Sequence, residues 1–316
     1  MNSSKSFWQI SAKVPKESAS LVEHFFLEAG AEGFYELLYQ EGVTDNLNED
    51  NTTLFFFFPE AFPARAFAPM ALAALGIDSN TVVVERIGFS DYIKAFEDSF
   101  RSFELTPTLW LVPPWDEDNL QIPQTARRLR LRPGLAFGTG KHPTSRLMIS
   151  FLEQNLLPGN SVFDLGCGSG ILALSAKLLG AGKTLGVDVE QISVDSATEN
   201  AELNQWSTTD IQFLQGDFSF LNDERYFTAD IFLANILPQI FRQNLVHLLV
   251  YLRSAKIWAL SGIADHQQQS FAELLTDNGV NFEWELKEEW LIFYSREAKR
   301  PAIGERFSEY LRTAQD

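Results

Sequence analysis

The stretch DLGCGSG, Asp164 to Gly170, decides the fold. It lies between the apolar run SVF and the apolar segment ILALSAKLLGAG, so it reads as a strand entering a glycine turn and leaving as a helix. Gly166, Gly168 and Gly170 let the backbone turn sharply and approach a ligand closely. Outward from this turn the same alternation repeats. TSRLMISFLEQNLL (Thr144–Leu157) precedes it as a helix. TLGVDVE, IQFLQGD, ADIFLANIL (Ala229–Leu237) and IWALSGI (Ile257–Ile263) follow as strands, with a helix over Ser193–Trp206. A further helix near His266–Asn278 and the strands NFEWELK and EEWLIFYSR close the pattern. Alternating strands and helices imply a parallel α/β sheet of the Rossmann-like kind.

The 316 residues suggest about two domains. The first ~88 read as strand, helix, strand, strand, helix, strand: Phe7–Val14, Lys16–Gly30, Glu32–Gln40, TTLFFFF, Ala64–Gly76 and Thr81–Phe89. Gly42–Asn51 is a polar loop, and Pro69 is expected to kink or shorten the second helix. That order suggests a small ferredoxin-like α+β domain, in which nothing looks catalytic. The expected division is residues 1–89 for this domain, 90–131 for a structured linker containing LWLVPPW, 132–300 for the α/β domain and 301–316 for an amphipathic tail helix.

Composition narrows the function. One cysteine, Cys167, excludes an intramolecular disulfide framework and a cysteine-based zinc site. His24, His142, His247 and His266 are scattered, so no metal is expected. The most apolar run, LFFFF, has five residues where a spanning helix needs about 20. The start MNSSKSFWQIS has no signal-peptide core, so a cytoplasmic protein without membrane contact is expected. A formal net charge of −17 argues against nucleic acid as a direct ligand. It suits a basic protein partner, although a merely soluble acidic protein explains it too.

A dinucleotide turn reads Gly-x-Gly-x-x-Gly. Here the third glycine falls one residue early and Ile171 takes the sixth position. Gly-x-Gly-x-Gly after an acidic strand end is the form found in methyltransferases that use S-adenosylmethionine. Asp188, ending the next strand, can accept both ribose hydroxyls of an adenosine. Asp164 sits where it can meet the positive amino group of the methionine part. Asp217, after the third strand, can meet the adenine amino group. Asn235, in LANIL, ends the fourth strand at the carboxyl edge, where such sheets bind ligands. Its amide oxygen can accept from an amine and aim the nitrogen lone pair at the methyl group, unless it only caps the next turn. Cys167 reads as small packing within the turn.

The stretch PGLAFGTGKHPTS, Pro133 to Ser145, is a near-miss for a phosphate loop. Its first glycine is one place off, and His142 stands where a Ser or Thr should follow Lys141. His142 reads as a loop-positioning residue rather than a base. Taken in order, PGLAFGTGKHPTS, DLGCGSGILALSA, GVDVE, ANIL and LSGI resemble the methyltransferases that modify large-subunit ribosomal protein eleven. The resemblance spans almost the whole chain. It implies trimethylation of lysine side-chain and α-amino groups from S-adenosylmethionine, with the N-terminal domain recognising the basic ribosomal protein. It implies cofactor contacts at Ser145, Gly166, Asp188 and Asn235, with Thr144, Asp164, Gly168, Gly170 and Asp217 completing the expected site and Asn235 as the catalytic residue. The chain departs from the family at Lys141 and Ser145, where Thr is usual, at Tyr92 and Phe96, where two Trp are usual, and in the tail from Pro301. A methyltransferase acting on another protein or a small molecule, or a non-catalytic cofactor-binding protein, are the alternatives on these residues.

Overall fold

The computed structural model describes residues 6–31, 33–36, 50–88, 100–119, 121–133, 140–219 and 229–295. The expectations for residues 42–49, Tyr92, Phe96 and the tail helix fall outside them. One compact unit lies within Met1–Arg101 and another within Ser102–Pro133 and Gly138–Asp316.

The first unit contains β1 (Ser6–Pro15), α1 (Ala19–Glu28), β2 (Gly33–Glu36), β3 (Asn51–Pro59), α2 (Ala64–Ala74) and β4 (Val82–Gly88). The sheet order is β2-β3-β1-β4, with every neighbouring pair antiparallel. The two-residue period of the strands places Ile10, Ala12 and Val14 with Leu54, Phe56 and Phe58 on one buried face. Val22 and Phe26 of α1 and Ala68 and Leu72 of α2 cover that face. The Phe26 and Phe56 rings lie 4.4 Å apart. The helix expected from Lys16 begins at Ala19, because Lys16–Ser18 form a 3-10 turn after Pro15. Pro69 lies inside α2 without ending it.

The second unit begins with β5 (Phe103–Thr106), β6 (Leu109–Val112) and β7 (Arg127–Arg130), which form a three-stranded sheet. Residues read as a connector therefore carry strands of their own. Then come α3 (Pro143–Asn155), β8 (Val162–Leu165), α4 (Ile171–Leu178), β9 (Thr184–Asp188), α5 (Gln191–Leu203), β10 (Ile211–Gln215) and β11 (Ile231–Asn235). α6 (Pro238–Gln243), α7 (Leu245–Ser254), β12 (Ile257–Ala264), α8 (Gln268–Asp277), β13 (Glu283–Lys287) and β14 (Trp290–Tyr294) complete it.

The strand order is β10-β9-β8-β11-β12-β14-β13. The first five strands are parallel, and β14 and β13 are antiparallel to their neighbours. All four residues of β8 are buried, as a central parallel strand covered on both faces requires. α6 and α7 occupy a stretch for which the sequence reading names no element. Pro238 at the first helical position and the break at Asn244 make them two short pieces. Tyr251 of α7 stacks on Phe232 of β11 at 4.7 Å and 6°. The chain leaves β8 toward β9 on one side and returns to β11 on the other. This reversal opens a crevice at the carboxyl ends of β8 and β11.

Candidate active site

The glycine turn lies directly in that crevice. Gly166, Gly168 and Gly170 have φ of 75°, 52° and 82°. The Gly166 and Cys167 N–H groups both donate to the Val187 carbonyl, at 2.7 and 3.1 Å. Close packing adds a second constraint: a Cβ on Gly166 would meet Ile236 Cγ2 at 2.4 Å, and one on Gly170 would meet Ala197 Cβ at 2.9 Å. Gly168 N–H donates to Asp188 Oδ2 at 2.9 Å, and Glu190 N–H donates to Asp188 Oδ1 at 3.0 Å. Each carboxylate oxygen keeps a second lone pair for a ligand hydroxyl.

Asp164 is fully buried near the end of β8. Its Oδ2 accepts from Ala173 N–H at 3.2 Å, and its Oδ1 has no hydrogen-bond partner. Burial, against the Ala173 bond and with added repulsion from Asp188, pushes its carboxyl up to about 7. An unfolded Asp titrates near ~3.9. Between these values the native state holds a proton that the unfolded chain has lost, so stability falls as pH rises through this window. Asp164→Asn should remove that slope. At about pH 8 the variant without cofactor should be more stable than the parent by on the order of 2–4 kcal/mol, and the gap should close toward about pH 4. Thermal melting across this range measures it, and parallel curves would refute it.

The amino end of α3 meets β11 over the same crevice. His142 is the N-cap of α3, and its Nδ1 accepts from Thr144 N–H at 3.3 Å. Nδ1 also lies 2.7 Å from Thr144 Oγ1. Asn235 Nδ2 donates to Thr144 Oγ1 at 3.1 Å. The His142 ring stands edge-on to Trp290, with centroids 4.4 Å apart. Asn235 Oδ1 and Ser145 Oγ are buried without partners. A buried polar atom left unpaired costs about 1–3 kcal/mol, so proteins leave few of them. Ser145 Oγ, Asp164 Oδ1 and Asn235 Oδ1 come from three elements that converge on one crevice. They fit a polar, positively charged ligand such as S-adenosylmethionine. Asp217 is exposed two residues beyond β10, next to Gly216, whose N–H donates to the Asp188 carbonyl at 2.9 Å. Asp217 Oδ1 accepts from Ser219 Oγ and N–H at 2.6 and 2.8 Å, which holds its carboxyl below the usual range.

A family model described as Ribosomal protein L11 methyltransferase (PrmA) matches residues 6–298. The chain belongs to this family. The Ribosomal protein L11 methyltransferase of Cupriavidus pinatubonensis is 35% identical over 240 residues, 75% of this chain and 76% of that protein. The one from Neisseria meningitidis serogroup C is 32% identical over 279 residues, 84% of this chain and 86% of that protein. The crystal structure of ribosomal protein L11 methylase from Lactobacillus delbrueckii subsp. bulgaricus matches with a TM-score of 0.55 at 31% identity. It covers 63% of this chain and 100% of that one.

Within this family fold, residues not singled out from the sequence shape the site. Asn200 of α5 is fully buried. Its Nδ2 donates to the Ser169 carbonyl in the glycine turn at 3.0 Å, and its Oδ1 accepts from Arg132 N–H at 2.7 Å. Asn204, one turn on, pairs likewise with the backbone of Arg130. The signal in the sequence is the pair of Asn residues four apart on one helix, facing inward. Asn200→Ala removes both of these buried hydrogen bonds, so it should cost about 2–4 kcal/mol, read as a lowered melting temperature. Gly262, in LSGI, is the other: Ile236 packs against it as well as against Gly166. Burial, with Asp164 and Asp188 nearby, raises the Cys167 thiol well above its ordinary value, which suits packing rather than nucleophilic attack. Lys141 is half-buried immediately before the N-cap. Among the described residues no group of three His, Cys, Asp or Glu side chains could hold a metal ion. No helix among them is long and apolar enough to cross a membrane.

Proposed function

We infer that this protein transfers methyl groups from S-adenosylmethionine to lysine side-chain and α-amino groups of ribosomal protein L11. The observation that carries the reading is the unpaired amide oxygen of Asn235 at the switch point beside the glycine turn, in a chain of this family. When bound, the cofactor supplies an electrophilic methyl group on a cationic sulfur. Gly166, Gly168 and Gly170 bring the backbone close to it. Asp188 would accept from the ribose hydroxyls, Asp164 would meet the amino group, Asp217 would meet the adenine amino group, and Ser145 would contribute its hydroxyl. Thr144 belongs to the same site through its bond to Asn235.

The amine must arrive without its proton. A free lysine, with pKa ~10.4, loses it at pH 7 at a cost of roughly 4.6 kcal/mol. Desolvation in a closed site lowers that cost. Asn235 Oδ1 then accepts an N–H of the neutral amine and directs its lone pair. Orientation of this kind replaces a dedicated base.

The βαββαβ order with strands 2-3-1-4 supports a ferredoxin-like N-terminal domain, residues 1–89, and we assign it to recognition of L11. The catalytic unit extends beyond the expected 132–300, since Ser102–Pro133, read as a connector, belongs to it. The net charge of −17 favours a basic protein over nucleic acid as the partner. The family substrate supports a cytoplasmic location. The test is incubation of the purified protein with L11 and labelled S-adenosylmethionine, followed by mass spectrometry. Mass increments of whole methyl groups on L11 amines are expected, with loss of cofactor binding in Asp188→Ala. Label on other molecules and none on L11 would overturn the assignment.

A further inference from the structure

We propose that His142 and Thr144 are positioning residues whose hydrogen bonds fix which end of the Asn235 amide faces the incoming amine. The proposal rests on the reading that Asn235 Oδ1 receives that amine.

The hydrogens available to these groups fix the orientation. A backbone N–H can only donate, and Thr144 N–H points at His142 Nδ1. Nδ1 is therefore an unprotonated acceptor, and the neutral ring carries its proton on Nε2. The 2.7 Å contact between Nδ1 and Thr144 Oγ1 needs one hydrogen, and only the threonine hydroxyl can supply it. Thr144 has no second hydrogen. Toward Asn235 its oxygen can only accept, so the amide atom at 3.1 Å is the NH2 nitrogen. Turning the amide over would set two oxygens against each other and leave two buried N–H groups in place of one unpaired oxygen.

The orientation of Asn235 is thus set at the cap of α3, by residues distant from it in sequence. The cap itself is held, since the His142 ring packs edge-on against Trp290 of β14. The same set of bonds accounts for Thr144. Its hydroxyl is committed to His142 and Asn235, which makes it a support for Asn235.

Two measurements test this. In the protein without cofactor, 15N NMR of the His142 imidazole should show Nδ1 unprotonated and Nε2 protonated. A protonated Nδ1 overturns the proposal, whatever the activity. The second measurement uses paired variants. Thr144→Val keeps the shape and removes the hydroxyl, whereas Thr144→Ser keeps it. His142→Leu removes the acceptor, whereas His142→Asn puts an oxygen where Nδ1 stands and still caps the helix. Thr144→Val and His142→Leu should lower kcat by about 10- to 100-fold. Affinity for S-adenosylhomocysteine, read by calorimetry, should stay within about threefold, because binding and orientation are separate demands. Thr144→Ser and His142→Asn should recover most of the loss. Equal loss within each pair, or full turnover in Thr144→Val, overturns the proposal. Asn235→Ala separates the two levels. Full turnover in that variant sinks the role of Asn235 itself, while an inactive Asn235→Ala beside a fully active Thr144→Val sinks only the positioning role.

Discussion

Asn235→Ala should lower kcat by about 10²- to 10³-fold while cofactor affinity changes by no more than about threefold. The asymmetry follows from where the amide is committed. Its nitrogen is held by Thr144, and its oxygen is buried with no partner. Nothing in the rest of the cofactor site depends on that oxygen: Asp188 is organised by Gly168 and Glu190, and the glycine turn by Val187 and Asn200. Removing the amide therefore removes orientation of the amine and little else. Asn235→Asp, nearly the same shape, should also be slow, for two reasons. Its second oxygen would face Thr144 Oγ1, whose only hydrogen is engaged with His142. Its charge would also favour the ammonium form of the substrate, so activity should recover partly as pH rises. Steady-state kinetics on L11 together with calorimetry of S-adenosylhomocysteine decide the matter. Equal losses in turnover and affinity would sink the role.

Gly262→Ala should cost about 2–5 kcal/mol and most of the activity. The residue has φ of +85°, a conformation that costs a residue with a Cβ about 1–2 kcal/mol. The added carbon would lie 2.4 Å from the Ile236 carbonyl oxygen and 2.8 Å from its carbon. Those are backbone atoms and cannot swing aside, which adds about 1–3 kcal/mol of overpacking. The loop they belong to starts at Asn235 and is pinned by Ile236 N–H donating to the Ser261 carbonyl at 3.2 Å. Relief of the clash therefore displaces Asn235. A fall in melting temperature of about 10 °C is expected, with loss of turnover. Gly166→Ala makes the contrast, since its nearest neighbour is a side-chain atom, Cγ2 of Ile236. Ile236→Ala, which removes Cγ2, should rescue Gly166→Ala in part and Gly262→Ala not at all. An unchanged melting temperature in Gly262→Ala refutes the packing argument.

Much of the candidate site could be read from the sequence because part of it is a backbone turn. Gly166, Gly168 and Gly170 do their work as a turn, and turns leave a local signature. Asp188 and Asn235 were legible because strand ends in a parallel sheet are where ligands bind. The bond between Asn235 and Thr144 was not legible, since the two stand 91 positions apart and meet only through packing. Asn200 was hidden for the same reason: its partners, Ser169 and Arg132, come from two other segments. β5, β6 and β7 have four residues each, too short for alternation to stand out. α6 and α7 are divided at Asn244, which breaks the helical period.

The wedge of Ile236 between Gly166 and Gly262 also bears on how such a chain can change through descent. Gly166 and the side chain at position 236 form one epistatic pair, while Gly262 is tied to the backbone of that same residue. A larger residue at either glycine is deleterious on the present background, and at Gly262 no change of side chain at position 236 compensates. Drift at this corner of the molecule is closed to single steps. A route to a different loop after Asn235 would have to remodel the backbone of the loop and of β12 together.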